Sequence, residues 1–160
     1  MVVPADRSAP APTQTAVLAL VPAADAVVGP HRAQLDGAAA WGVPAHITVL
    51  HPFVAPDEVD DELLARLASA VGTVTAFEVA FQRTAWFGED VLWLDPDPAQ
   101  PFRDLTAAVF AAFPGHPPYA GAFDGSAPHL TIGERRLADL PALREAERSV
   151  VPHLPLTARI

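Results

Sequence analysis

His46-Ile47-Thr48-Val49 and His129-Leu130-Thr131-Ile132 share one reading: histidine, apolar, threonine, apolar. The period is two, which is the side-chain period of a β-strand. His46 and Thr48 therefore point to one face and Ile47 and Val49 to the other, and the second copy repeats the arrangement. Each copy predicts a strand with a buried apolar face and a face carrying one imidazole and one hydroxyl. Side by side, the two strands would offer a cleft two acid–base groups and two hydroxyl donors, a set suited to phosphoryl chemistry.

Around each copy the setting also repeats. Pro44-Ala45 precedes the first and Ala127-Pro128 the second, and proline is tolerated at or just before a strand's first residue. The chain has 160 residues, 51% of them apolar and 18% charged, enough for one globular domain with a real core. The formal charge is −9. Affinity for a nucleic-acid backbone rests on Lys and Arg, so no long nucleic acid is expected as a partner. A nucleic-acid substrate should be short, or held by one terminal phosphate. There is no cysteine, which excludes disulfides, thiolate catalysis and cysteine-ligated zinc. No apolar run approaches the roughly 20 residues that span a bilayer. Ala16 to Val21 resembles a signal-peptide core, but Asp6 and Arg7 leave its flank without net positive charge, and Pro22 and Asp25 cut it short. A buried first strand and a cytoplasmic location are expected instead.

Residues 1–14, rich in Pro, Ala, Ser and Thr, read as a disordered tail or an expression remnant, and 15–160 as one domain. Strands are expected at Thr15–Val21, His46–Leu50, Phe77–Phe81 with both phenylalanines inward, Val91–Leu94 ended by Asp95-Pro96, His129–Ile132 and Leu154–Ile160. Helices are expected at His31–Ala40, at Asp57–Ala70 with Gly72 as C-cap, at Phe102–Phe113 and at Leu140–Val150. Residues 114–128, with four prolines and three glycines, form a loop. Val17 to Pro22 aligns with Val91 to Pro96, and in each half a helix and then a motif strand follow. This weak two-fold repeat predicts two βα lobes, roughly 15–82 and 83–160, facing each other about a pseudo-two-fold axis.

The paired motifs, one per lobe, resemble those of the two-histidine (2H) phosphoesterase superfamily. The stretch His46-Ile47-Thr48-Val49-Leu50-His51-Pro52-Phe53 is similar to the first motif of its bacterial 2′-5′ RNA ligase-like, cyclic phosphodiesterase branch. The resemblance spans roughly residues 15–160. It implies a bilobal α/β (α+β) fold with a water-filled cleft. It also implies metal-independent chemistry, with no cofactor, on 2′,3′-cyclic phosphates or 2′-5′ linkages of a nucleotide or RNA end. His46 and His129 would be the acid–base pair, and Thr48 and Thr131 would bond phosphate oxygens. Many members carry a basic residue two positions past the second motif. Here that residue is Glu134, with Arg135 and Arg136 just beyond, so an electropositive contact is shifted or missing. The chain stops at Ile160, within an expected strand where members usually continue, which reads as a truncated or a short version.

Hydrolysing a cyclic phosphate needs a base to activate water and an acid to protonate the departing sugar oxygen. Histidine titrates near working pH and serves either role. The two titrate as a coupled pair, so sequence does not say which is which. Arg135 is a phosphate-binding candidate, although it and Arg136 can equally pair with Glu134 or Asp139. His51, five residues after His46, faces away on a continued strand, so a metal site shared with His46 is not expected. His31 and His153 read as surface residues. Trp41, Trp86 and Trp93 read as core. Phe87, just before Gly88, is the best base-stacking candidate, and Tyr119, in the proline-rich loop, is a second. The leading reading is a hydrolase, a metal-independent phosphodiesterase. A non-catalytic nucleotide- or phosphate-binding module with the same fold is the alternative, motivated by the acidic balance and Glu134. A 2′-5′ RNA ligase ranks below both, because few basic residues are available to hold two RNA ends.

Overall fold

A computed structural model describes residues 11–121 and 127–160. Residues 1–10 of the expected tail and 122–126 of the expected loop lie outside the described residues. Along the chain run β1 (Val17–Leu20), α1 (Asp25–Leu35), α2 (Gly37–Ala40), β2 (His46–Leu50), α3 (Asp61–Val71) and β3 (Glu78–Phe87). Then follow β4 (Val91–Asp97), α4 (Gln100–Ala112), β5 (Leu130–Glu134), α5 (Leu140–Val150) and β6 (Leu156–Arg159). β1 pairs with β2, and the other four strands form a second sheet in the order β5-β4-β3-β6. Every ladder is antiparallel. The mixed α/β, two-lobed architecture expected from the motifs is what the chain adopts.

The helix of each half packs on the motif strand of the other. α1 lies against β5, and α4 lies against β2. The apolar face of each motif strand meets these helices. Ile47, Leu50, Leu130 and Ile132 are each 1% exposed or less, and full burial of such side chains contributes about 1.5–3 kcal/mol apiece. Phe77 and Phe81 point inward as expected, Phe81 fully buried and Phe77 meeting Phe102 edge-on at 5.0 Å.

Both motif strands carry a β-bulge at the same place. Leu18 pairs with Thr48, but the next pair is Val17 with Leu50, so Val49 is the extra residue. Trp93 pairs with Thr131, but the next pair is Leu92 with Gly133, so Ile132 is the extra residue. Each bulge thus falls on the residue after the motif threonine. Thr106 of α4 donates to the Val49 carbonyl at 2.8 Å, which satisfies a group the bulge takes out of the ladder. Pairing to the equivalent threonines also sets the internal repeat: Leu18 corresponds to Trp93, one residue off the alignment suggested by Val17 and Val91.

The element bounds differ from expectation where a proline or a polar run obscured the pattern. α1 begins at Asp25, not near His31, and runs through Pro30, because Val28, Arg32 and Leu35 bury one face. Asp36, in extended geometry, separates it from α2, which its carboxylate caps by accepting the Ala38 N–H. β3 continues past Phe81 through the polar Gln82-Arg83-Thr84, where a third bulge sits, and so crosses residues 82 and 83 without a break. β4 continues through Pro96. That proline lies beyond the last pair with β5, Leu94 with Leu130, and beside the bulge in β3, the positions at which sheets tolerate proline.

Candidate active site

The two motif strands meet at a cleft of about 750 Å³ lined by His46, Thr48, His129 and Thr131 together. The four side chains singled out by alternation therefore share one space. Each imidazole is held in the same way. His46 Nδ1 lies 2.8 Å from the Pro44 carbonyl, and His129 Nδ1 lies 2.8 Å from the Ala127 carbonyl. A carbonyl oxygen only accepts, so Nδ1 carries the proton in both rings. Nε2 is then the nitrogen left to exchange protons in the cleft.

Different surroundings support the two rings. Behind His46 lies a buried ion pair, with Arg32 2% exposed and Asp36 5% exposed. Arg32 Nε donates to Asp36 at 2.9 Å, and another guanidinium nitrogen donates to the Val43 carbonyl at 3.2 Å. Asp25, 3.8 Å from Arg32, accepts the Ala45 N–H at 2.8 Å. Val43 and Ala45 flank Pro44, whose carbonyl orients His46, so this network fixes the acceptor that fixes the ring. His129 instead sits in an aromatic corner. Phe87 meets it edge-on at 4.9 Å, and Trp93 lies 5.9 Å away.

Burial pushes both imidazoles below the ordinary histidine value. For His46 the Pro44 bond opposes this, Arg32 adds to it, Asp36 opposes it, and the charge of His129 adds to it. For His129 the Ala127 bond and Glu134 oppose it.

The bulges decide what else reaches the cleft. An inserted residue reverses the in–out alternation, so the fifth residue after each histidine returns to the histidine's side. These are His51 and Glu134, and both line the cleft. The expectation that His51 faces away is thus corrected. Arg135 does not line the cleft; its backbone N–H bonds Asp90 and its side chain is exposed. Arg136 lines it instead, paired with Glu134. Asp139 caps α5 and takes no part.

Phe87 does not line the cleft either. It stacks on Trp93 at 4.7 Å between centroids and backs His129. Tyr119 does line it, with its N–H donating to the His51 carbonyl at 2.7 Å. Trp41, expected in the core, is 53% exposed at the cleft. Pro12, Thr13 and Gln14, read as tail, also line it. Trp86 lies outside the site, donating to Glu147 with Arg144 over its ring. His31 and His153 are not in the cleft lining. Among the described residues no three His, Asp or Glu side chains converge as a metal site, and no helix is long and apolar enough to cross a membrane.

Sequence reasoning missed Arg32, Asp36 and Asp25. The one available signal was an arginine four residues before an aspartate on a helix ending at that aspartate, a pattern common on solvated faces.

A family model described as the 2′-5′ RNA ligase superfamily matches residues 20–159. No curated protein matches the chain.

Proposed function

Because the chain belongs to the 2′-5′ RNA ligase superfamily, the two-histidine phosphoesterases, we propose that it is a metal-independent phosphodiesterase. Its substrate would be a 2′,3′-cyclic phosphate or a 2′-5′ phosphodiester of a nucleotide or RNA end. The observation that supports this reading is the matched presentation of His46 and His129. Each is locked through Nδ1 to a carbonyl two residues earlier and offers Nε2 to one shared cleft.

In the proposed reaction one neutral imidazole takes a proton from water through Nε2 as the water oxygen bonds phosphorus. The other, protonated, gives its Nε2 proton to the ribose oxygen as the P–O bond to that oxygen breaks. A cyclic ester so becomes a phosphomonoester with a free hydroxyl. The Thr48 and Thr131 hydroxyls donate to the non-bridging oxygens, where charge develops.

The test is turnover of nucleoside 2′,3′-cyclic phosphates in EDTA by the wild type, His46→Ala and His129→Ala. Loss of one acid–base partner should slow turnover by about 10²–10⁴-fold. Equal turnover in all three proteins would overturn the reading.

A further inference from the structure

We propose that His51 and Glu134 form a second symmetry-matched pair that sets the charge of the phosphate the cleft accepts, favouring a singly charged phosphodiester over a doubly charged phosphomonoester. The inference rests on the phosphodiesterase reading of the site and deepens it. His51 stands five residues after His46, and Glu134 five after His129. One bulge per motif strand, at Val49 and at Ile132, turns each of them into the cleft. The pseudo-two-fold axis that brings the histidines and threonines together thus brings this third pair with them, one residue able to carry positive charge and one negative.

Fixed positive charge in the cleft lining is scarce among the described residues. Asp36 and Glu134 supply two carboxylates and Arg136 the only guanidinium. Arg136 is engaged by Glu134, and the exposed Arg135 is outside the lining. Arg32, which neutralises Asp36, is buried and does not line the cleft. His51, exposed and in the lining, is therefore the donor that the first motif strand adds to this cleft. Its ring donates to a phosphate oxygen, while the three carboxylates Asp25, Asp36 and Glu134 outnumber the two guanidiniums they pair with, Arg32 and Arg136. The cluster at the cleft so keeps one negative charge in excess, which repels a second charge on the ligand and which removal of Glu134 cancels. A phosphodiester carries one negative charge. A monoester carries close to two at neutral pH, and so pays the larger repulsion. Hydrolysis converts the first into the second, so the same pair would speed product departure.

Calorimetric titration at pH 7 tests this with a nucleoside 2′,3′-cyclic phosphate and the corresponding 3′-monophosphate. Glu134→Gln should strengthen monophosphate binding about tenfold and cyclic phosphate binding by less. His51→Ala should weaken the cyclic phosphate about tenfold. Glu134→Gln also frees Arg136, so the change is repeated in an Arg136→Gln background. The same relative gain there assigns the effect to Glu134, and a gain that vanishes there overturns the assignment. Equal strengthening of both ligands, no change in His51→Ala, or no binding of either ligand by the wild type would also overturn it. Wild type that binds the cyclic ester with the predicted preference but never hydrolyses it would sink the phosphodiesterase reading and leave the charge selection standing.

Discussion

Replacing Arg32 with methionine probes the support behind His46 most directly. Arg32 is 2% exposed and holds Asp36, itself 5% exposed, through contacts of 2.8 and 2.9 Å. Methionine keeps most of the volume and removes the charge, leaving a buried carboxylate without its partner. Breaking a buried pair from one side costs about 3–5 kcal/mol, much of it the isolated charge. The bond to the Val43 carbonyl, at 3.2 Å, is lost as well. Against a total stability of roughly 5–15 kcal/mol this is a large fraction. With a urea dependence of about 2 kcal/mol per molar, the unfolding midpoint should fall by about 1.5–2.5 M. Adding Asp36→Asn removes the stranded charge yet keeps an oxygen to cap α2, where Asp36 accepts the Ala38 N–H at 3.0 Å. The double variant should recover about 2 kcal/mol of stability. It should not recover turnover, because Val43, and through it the Pro44 carbonyl, stays untethered. A midpoint within about 0.5 M of wild type for Arg32→Met would refute the reasoning, as would a double variant no more stable than the single.

Three further outcomes follow from other parts of the site. Burial holds both cleft histidines below the ordinary value of 6.5, so the unfolded chain binds protons first on acidification. Their stability contribution is full above pH 6.5 and is lost as pH falls through the depressed folded values; a urea midpoint that declines from pH 7 to 5, and declines less in His46→Gln/His129→Gln, checks this. Phe87→Ala removes the stack on Trp93 and the edge against His129. Since Phe87 is 37% exposed the stability cost should be about 1–2 kcal/mol, with kcat falling more than KM rises; an unchanged kcat would separate Phe87 from the orientation of His129. A Cβ on Gly133 would lie 2.7 Å from both Leu35 Cβ and Leu143 Cδ2, so Gly133→Ala should cost about 1–3 kcal/mol in denaturant melts, and a neutral change would show that the β5 bulge is not seated as described.

What the sequence revealed and what it hid divide along one physical line. Alternation is a local signal, and it announced both motif strands and the shared face of His46 with Thr48 and of His129 with Thr131. It fails where a bulge interrupts it. Nothing in Val49 or Ile132 marks either as an inserted residue, so strict alternation sent His51 to the wrong side. Partners distant in sequence were hidden for another reason. Phe87 is an aromatic before a glycine, a pattern compatible with an exposed platform, and only the pairing of β3 with β4 brings it onto Trp93. Arg32 and Asp36 looked like any i, i+4 pair on a solvated helix until the packing of α1 against β5 buried that face.

The symmetric framing of the two histidines has a chemical consequence that their unequal surroundings do not cancel. The proposed reaction needs one neutral and one protonated ring at the same moment. Both rings expose Nε2 to one cleft, and the positive charge of His129 disfavours protonation of His46. The first proton bound by the pair therefore opposes the second, which widens the pH interval in which the pair holds a single proton. Burial moves that interval to the acid side of the ordinary histidine value, while the Pro44 and Ala127 carbonyls, and after them Asp36 and Glu134, limit the displacement. No fixed division into acid and base is required for such a pair to work. In the proposed reaction, where the proton resides would follow from which side of phosphorus the water occupies, and so from the substrate's orientation in the cleft. Holding two equivalently tethered imidazoles at one cleft is thus what the repeated motif and the carbonyl two residues before each histidine serve.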